Sequence, residues 1–130
     1  MKDQHTKITG YRDLSQKEID LMNTFKQIGS TIGETTSFIA LCINNKEPVS
    51  EGLLALDEVR KALIEFIETE VSPRIDVDHA WLNKGCWLAT NAIINITTDH
   101  SAEAVRGHTQ DLQIAFMCMI RSIAKPTTFV

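Results

Sequence analysis

The chain has 130 residues, 43% of them hydrophobic, and its 13 basic and 17 acidic residues give a formal net charge of -4. This length fits one domain with a modest core. A net negative charge argues against a surface for duplex DNA or RNA, which requires a basic stripe, and no apolar run approaches the roughly 18 residues that span a bilayer. We therefore expect a single domain over residues 1–130 that binds neither duplex nucleic acid nor a membrane.

The cysteines and the first residues indicate a reducing compartment. Cys42, Cys86 and Cys118 are an odd number, form no CxxC pair and fall inside apolar stretches, so we expect reduced thiols rather than a disulfide frame or a zinc site. The polar residues 1–5 do not have the pattern of a signal peptide. Both features predict an intracellular protein.

A capping box marks the first predicted helix. Ser15 is followed three residues later by Glu18, immediately before apolar residues at helical spacing, and the pattern stops at residues 44–48. About 28 residues make a helix of about 42 Å, longer than the roughly 36 Å diameter of a compact chain of this size. The helix therefore either breaks at Gly29 or Gly33, or projects and packs against another chain.

The middle of the chain predicts two further helices. Ser50 is the predicted N-cap of the second, and Pro73 ends it. Asp76 or Asp78 opens the third, which runs to Thr98. The β-branched residues before Thr98 are also compatible with a strand, but a lone strand would have no partner, so we interpret this segment as helical.

The last predicted helix runs from about Ala102 to Ala124, where Pro126 prevents its continuation, and residues 127–130 form an extended tail. The predicted fold class is therefore all-α, a long helical hairpin with additional central helices.

The inventory of catalytic groups is small. His100 with Glu103 and His108 with Asp111 have the i,i+3 spacing of metal ligands, but no third ligand converges on either pair. Phosphate-binding loops and nucleophile elbows are absent from the sequence. We expect no enzyme, no metal and no cofactor. The apolar pattern around Trp81 and Trp87 favours core packing over base stacking.

Tyr11 and Lys26 have two interpretations. Tyr11 either packs at the start of the first helix or stacks on a nucleobase, and Lys26 is either a solvated charge or a partner for a phosphodiester. One chain would place them about 15 to 20 Å apart, too far for one compact pocket. A two-fold oligomer brings Tyr11 of one chain near Lys26 of the next and duplicates both, as a cyclic dinucleotide requires.

Further candidate ligand-binding residues lie beside Tyr11 and along the last helix. These further candidates are Arg12, Arg106, Gly107, Thr109 and Arg121. On the structural interpretation the arginines are surface charges, with Arg121 complementing the dipole at the end of its helix. On the functional one, an arginine and a hydroxyl near a symmetry axis line a second anion site.

Two end segments carry a family resemblance: Gly10-Tyr11-Arg12-Asp13-Leu14-Ser15 running on to Lys26, and Asp111-Leu112-Gln113 running through Arg121 to Ala124-Lys125-Pro126-Thr127-Thr128-Phe129. Over residues 8–33 and 105–129 the chain resembles the phage anti-CBASS sponges, helical proteins that sequester cyclic-oligonucleotide immune signals without degrading them.

The resemblance implies a homohexamer. It implies cyclic dinucleotides held between protomers by Tyr11 and Lys26, and cyclic trinucleotides held near the start of the last helix, where Thr109 matches the family's threonine and Arg106 neighbours its basic position. It places the protein in the cytoplasm of the infected bacterial host.

The central residues, 48–99, exceed what the short sponges contain, and we interpret them as an insertion. A related group, the anti-Thoeris sponges, binds cyclic ADP-ribose isomers, so a different cyclic signal is one alternative. The other is a helical structural or adaptor protein without a small-molecule ligand.

Overall fold

The computed structural model describes residues 8–11, 14–74, 76–99, 101–123 and 126–128. Four helices dominate this part of the chain, which confirms the all-α class. In chain order the elements are β1 (Ile8–Tyr11), α1 (Gln16–Asn44), α2 (Ser50–Phe66), a π-helical turn (Ile67–Val71), α3 (His79–Thr98), α4 (Ala102–Ile123) and β2 (Pro126–Thr128).

Helix α1 begins at the predicted capping box. The Glu18 amide donates to Ser15 Oγ at 3.2 Å, and the Ser15 amide donates to Glu18 Oε1 at 2.9 Å. The helix then runs unbroken for 29 residues, about 43 Å, so the break considered at Gly29 or Gly33 does not occur. Packing of its buried face against α2 and α4 stabilises the continuous helix despite two glycines.

The predicted N-cap of α2 is wrong. Ser50 is the first helical residue, and Val49 occupies the cap position without a side-chain hydrogen bond. The predicted end is confirmed, because the π-helical turn finishes at Val71, two residues before Pro73. Phe66 meets Phe25 of α1 edge to face, with ring centroids 5.0 Å apart, and this aromatic pair anchors α2 in the core.

Helix α3 begins at Asp78, one of the two predicted caps. Asp78 Oδ1 accepts from the Ala80 amide at 3.2 Å and lies 3.4 Å from the Trp81 amide nitrogen, whereas Asp76 pairs with Arg74. The segment stays helical to Thr98, as predicted, because its buried positions recur at helical spacing against α2 and α4.

Helices α3 and α4 approach each other closely at Gly85. A Cβ on Gly85 would lie 2.6 Å from Met119 Cγ and 2.7 Å from the Ala115 carbonyl oxygen. Only glycine therefore allows the two backbones to meet at this distance.

A two-stranded ladder joins the ends of the described chain. β1 pairs antiparallel with β2, with Gly10 opposite Thr127 and Tyr11 opposite Pro126. The extended tail is thereby confirmed for Thr127 and Thr128, and residues 129–130 lie outside the described part. The sequence did not predict β1, because a strand of four residues is stable only after α1 and α4 bring the two ends together.

The helices carry the three cysteines, for which we predicted reduced thiols, and they are also the segments to test for membrane spans. The three cysteines are free thiols; Cys42 and Cys118 are buried, and Cys86 is half-buried. Among the described helices, each is too short or too polar to cross a bilayer.

Candidate functional site

A groove of about 430 Å³ lies between α1 and α4. The residues that line it are Phe25, Lys26, Gly29, Ser30, Ile32, Gly33, Thr36, Thr109, Leu112, Gln113, Phe116, Met117 and Ile120. We call this the α1–α4 groove. It is mainly apolar, with hydroxyl, amide and ammonium groups among its lining residues.

The two glycines of α1 make the groove possible. The Phe116 ring lies 3.4 Å from where a Cβ on Gly29 would be, and a Cβ on Gly33 would meet nothing within 4 Å. Since Gly29 lies against Phe116 and the helices run antiparallel, Thr36 comes level with Thr109. Both threonines line a second cavity further along the same pair of helices. The glycines predicted as a helix break instead leave space beside an unbroken helix.

Lys26 lies at the end of the groove nearest the start of α1. Its side chain is exposed, and it makes no ion pair with any carboxylate in the described ranges. Two arginines, in contrast, are neutralised locally: Arg60 pairs with Asp57 and Arg74 with Asp76, both at 2.7 Å. Lys26 is therefore available to an anion from outside the chain.

These two ion pairs also shift the pKa of the carboxyl group in each pair. A hydrogen bond from Arg60 lowers the pKa of Asp57, and a hydrogen bond from Arg74 lowers the pKa of Asp76. Asp57 lies on α2 and Asp76 lies between the π-helical turn and α3, and neither lines the α1–α4 groove.

Thr109 and Arg106 lie together in the second cavity, of about 280 Å³. The Thr109 hydroxyl donates to the Val105 carbonyl oxygen at 2.6 Å, which leaves the hydroxyl oxygen able to accept a hydrogen bond. Arg106 is exposed. Gly107 is also exposed and lines neither cavity, so the structure does not bring it together with these two.

Thr109 lines both cavities, but it is distant from Lys26. Ten residues of α1 separate Lys26 from Thr36, the residue level with Thr109, which corresponds to about 15 Å along the helices. One phosphate therefore does not contact both side chains.

The remaining predicted residues fall elsewhere. Arg121 lies on the α3 side of α4, with its guanidinium carbon 4.9 Å from the centroid of the Trp81 ring, so it does not join Lys26 in the groove. Only the backbone of Tyr11 is described, in β1, and Arg12 lies outside the described residues.

The two tryptophans differ from each other in exposure. Trp87 is 66% exposed, so core packing was the wrong interpretation for it, while Trp81 is half-buried.

His108 Nδ1 lies 3.4 Å from Asp111 Oδ2. In the described ranges no third His, Cys, Asp or Glu joins a pair to form a metal site, and His100 lies outside them.

Sequence reasoning missed Phe116, whose ring forms a wall of the groove. Its apolar i,i+3 and i,i+4 neighbours, Met119 and Leu112, indicated a buried helix face. They did not indicate that Phe116 would face glycine on α1, because the register between two helices is set by tertiary packing.

The comparisons with known proteins include a short match to an anti-CBASS protein. No family model matches the chain, and no solved structure matches it. A segment of 32 residues is 53% identical to anti-CBASS protein 2 of Pseudomonas phage JBD67. This segment relates the chain to an anti-CBASS protein. It covers 25% of this chain and 30% of that protein, so the match supports the anti-CBASS resemblance over that segment and leaves three-quarters of the chain outside it.

Proposed function

We propose that this protein inhibits CBASS signalling by binding cyclic oligonucleotides and releasing them chemically unchanged. One observation carries the proposal: a chain that shares a segment with an anti-CBASS protein also has an apolar groove, and the lysine at its edge pairs with no carboxylate among the described residues. A nucleotide combines an apolar ring with an anionic phosphate, and the groove supplies a complement to each.

Different residues of the groove bind the base and the phosphate. The half-buried Phe116 ring and the exposed Met117 side chain supply the apolar surface on which a base packs, and base contacts with aromatic rings are worth about 1 to 3 kcal/mol. Lys26 neutralises a phosphodiester oxygen. Thr109 and Arg106, about 15 Å further along, form a separate anion site, suited to a cyclic trinucleotide.

A cyclic dinucleotide has two phosphates, but each chain offers one Lys26. A two-fold pair of chains supplies two lysines and two copies of Tyr11 in matching symmetry, and we propose such pairs within a homohexamer. Exposed apolar side chains along α1, at Phe38 and Leu41, support self-association because burying them removes apolar surface from water.

Capture rather than cleavage is proposed because of the residue types in the groove. Its described lining contains no histidine, carboxylate or cysteine, the usual groups for acid, base or nucleophilic attack on a phosphodiester. The proposed activity is therefore stoichiometric, and the protein acts as a sponge in the cytoplasm of the infected cell.

The test is a ligand panel. The protein is incubated with cyclic dinucleotides, cyclic trinucleotides and cyclic ADP-ribose isomers, the melting temperature is measured, and the ligand is then recovered after denaturation. We expect a higher melting temperature with at least one cyclic oligonucleotide and intact recovered ligand. A rise with cyclic ADP-ribose isomers alone would change the ligand class, no rise with any member would favour a helical adaptor, and a linear product would make the protein an enzyme.

The two-chain site has a test of its own. Tyr11→Ala and Lys26→Ala chains are each assayed alone and then unfolded and refolded as a mixture. If the two residues come from different chains, mixed pairs contain one intact Tyr11–Lys26 combination, and binding partly returns. If both come from one chain, the mixture binds no better than its components. Sedimentation at micromolar concentration tests the hexamer, and a monomer would contradict it.

A further inference from the structure

Another concave surface adjoins the α1–α4 groove along α4, where Met117 and Ile120 line both. It has a volume of about 430 Å³, and its lining residues are Trp81, Lys84, Ile114, Met117, Cys118, Ile120 and Arg121. We call it the Trp81 pocket. Trp81 and Lys84 belong to α3, in the part of the chain that the sequence sets apart as an insertion, so this pocket depends on residues outside the two end segments.

Two cations converge on the Trp81 ring. Lys84 Nζ lies 5.4 Å from the ring centroid and Arg121 Cζ lies 4.9 Å from it, so the two charged groups are within about 10 Å of each other. Each cation is attracted electrostatically by the Trp81 ring. This attraction offsets their mutual repulsion, which is of the same order in water.

These two cations have no carboxylate partner in the described part of the chain. Residues 79–98 and 112–123 contain no Asp or Glu, and the carboxylate of Asp78, just before them, caps α3 by accepting from the Ala80 amide. In a chain with a net charge of -4, this surface is cationic. An anion that approaches it is attracted by two positive charges.

An apolar surface adjoins the cations. Met117 is 70% exposed and Ile114 is 51% exposed, and both line the pocket. Exposed side chains of this size beside two unpaired cations match a ligand with one anionic and one flat apolar part. An inorganic anion would use only half of this surface.

We propose that the Trp81 pocket binds a nucleotide, with its phosphate between Lys84 and Arg121 and its base against Met117 and Ile114. The two cations of this site lie outside the lining of the α1–α4 groove, and the proposal does not rest on the function proposed for that groove. The ligand class is defined by a phosphate ester attached to a nucleoside.

The test uses the fluorescence of Trp81. The chain has two tryptophans, so Trp87→Phe leaves Trp81 as the only one. Lys26→Ala is added to remove signals from the α1–α4 groove. Adenosine 5′-monophosphate and cyclic AMP are titrated separately, since they distinguish a terminal phosphate from a phosphodiester, with adenosine and inorganic phosphate as controls. We expect saturable quenching by at least one nucleotide, and much weaker binding of adenosine and of inorganic phosphate.

Lys84→Gln should weaken nucleotide affinity about tenfold, the loss expected for one charge-assisted hydrogen bond, whereas Lys17→Gln on α1 should leave it unchanged. Lys84 and Lys17 are both exposed, so neither change should unfold the protein, and circular dichroism checks this. Four outcomes would each overturn the proposal. They are the absence of saturable quenching at millimolar nucleotide, binding of adenosine as tight as that of the nucleotide, binding of inorganic phosphate as tight as that of the nucleotide, and an unchanged nucleotide affinity in Lys84→Gln. Since Lys26 is absent from this background, these outcomes do not depend on the proposed sponge activity.

Discussion

Helix α4 packs against α3 on one side and α1 on the other, and the two interfaces use glycine in opposite ways. Gly85 of α3 lies where any side chain would collide with Met119 and the Ala115 carbonyl, whereas Gly33 of α1 has nothing within 4 Å. The α3–α4 interface is closed and holds the fold. The α1–α4 interface is open and forms the groove. Glycine lets helices meet in one case and leaves room beside them in the other.

The largest effect should come from Gly85→Ala, which attacks the closed interface. Its Cβ would lie 2.6 Å from Met119 Cγ and 2.7 Å from the Ala115 carbonyl oxygen, so the helices must separate. We expect the free energy of unfolding to fall by about 2 to 3 kcal/mol, measured by urea denaturation. An unchanged stability would show that α3 and α4 are not packed as described.

Lys26→Ala tests the open interface through binding. The affinity for a cyclic oligonucleotide should fall at least about tenfold, because one charge-assisted contact to phosphate is lost, and calorimetric titration measures it. The free energy of unfolding should change by less than about 0.5 kcal/mol, since the side chain is exposed. Lys17→Ala, an exposed lysine on the same helix, is the matched control and should bind normally. Equal affinities of the two variants would place the phosphate elsewhere.

Gly33→Ala is the counterpart of Gly85→Ala. The new Cβ meets no neighbour, and alanine is favoured over glycine inside a helix by up to about 1 kcal/mol. We therefore expect a more stable protein in the same urea assay. A loss of stability would mean that the groove is closed in solution, for example by another chain.

The smallest effect concerns acid stability. Hydrogen bonding to Arg74 lowers the pKa of Asp76 in the folded protein, so the ionised carboxyl stabilises the fold above its unfolded pKa, and this contribution is lost as pH falls through the folded pKa. Asp76→Asn should cost less than about 1 kcal/mol near neutral pH, because the Asp76 side chain is exposed to solvent.

The cost of Asp76→Asn should decrease as the pH falls below about 4, the ordinary range for an aspartate. Melting temperatures of both proteins across pH measure it. A difference that grows as the pH falls would contradict this assignment.

The sequence predicted features that local interactions determine. Ser15 and Glu18 lie on the same turn and satisfy each other's backbone groups, so the start of α1 could be predicted from four residues. The all-α class and the ends of α3 and α4 followed from helical spacing and from Asp78 and Pro126. The prediction of Ser50 as an N-cap was wrong, because the capping preference of one residue does not by itself decide where a helix begins. Helix α2 begins one residue earlier than predicted, with Val49 at the cap position.

Features that depend on distant parts of the chain could not be predicted. Pairing of β1 with β2 requires residues more than 100 positions apart to meet. The groove requires Phe116 to come level with Gly29, and the convergence of Lys84 and Arg121 on Trp81 requires the register of α3 on α4. Trp87 lies in an apolar pattern yet is exposed, because the pattern shows which residues are hydrophobic and not which helix faces have partners.

Retention and recovery of a labelled ligand test the central claim most directly. Excess protein is mixed with a radiolabelled cyclic dinucleotide, free ligand is removed by rapid filtration, and the retained material is released by denaturation and analysed by chromatography. The groove account predicts that the wild-type protein retains the label and returns the intact cyclic compound, and that Lys26→Ala retains far less. A linear product, or equal retention by Lys26→Ala, would contradict it.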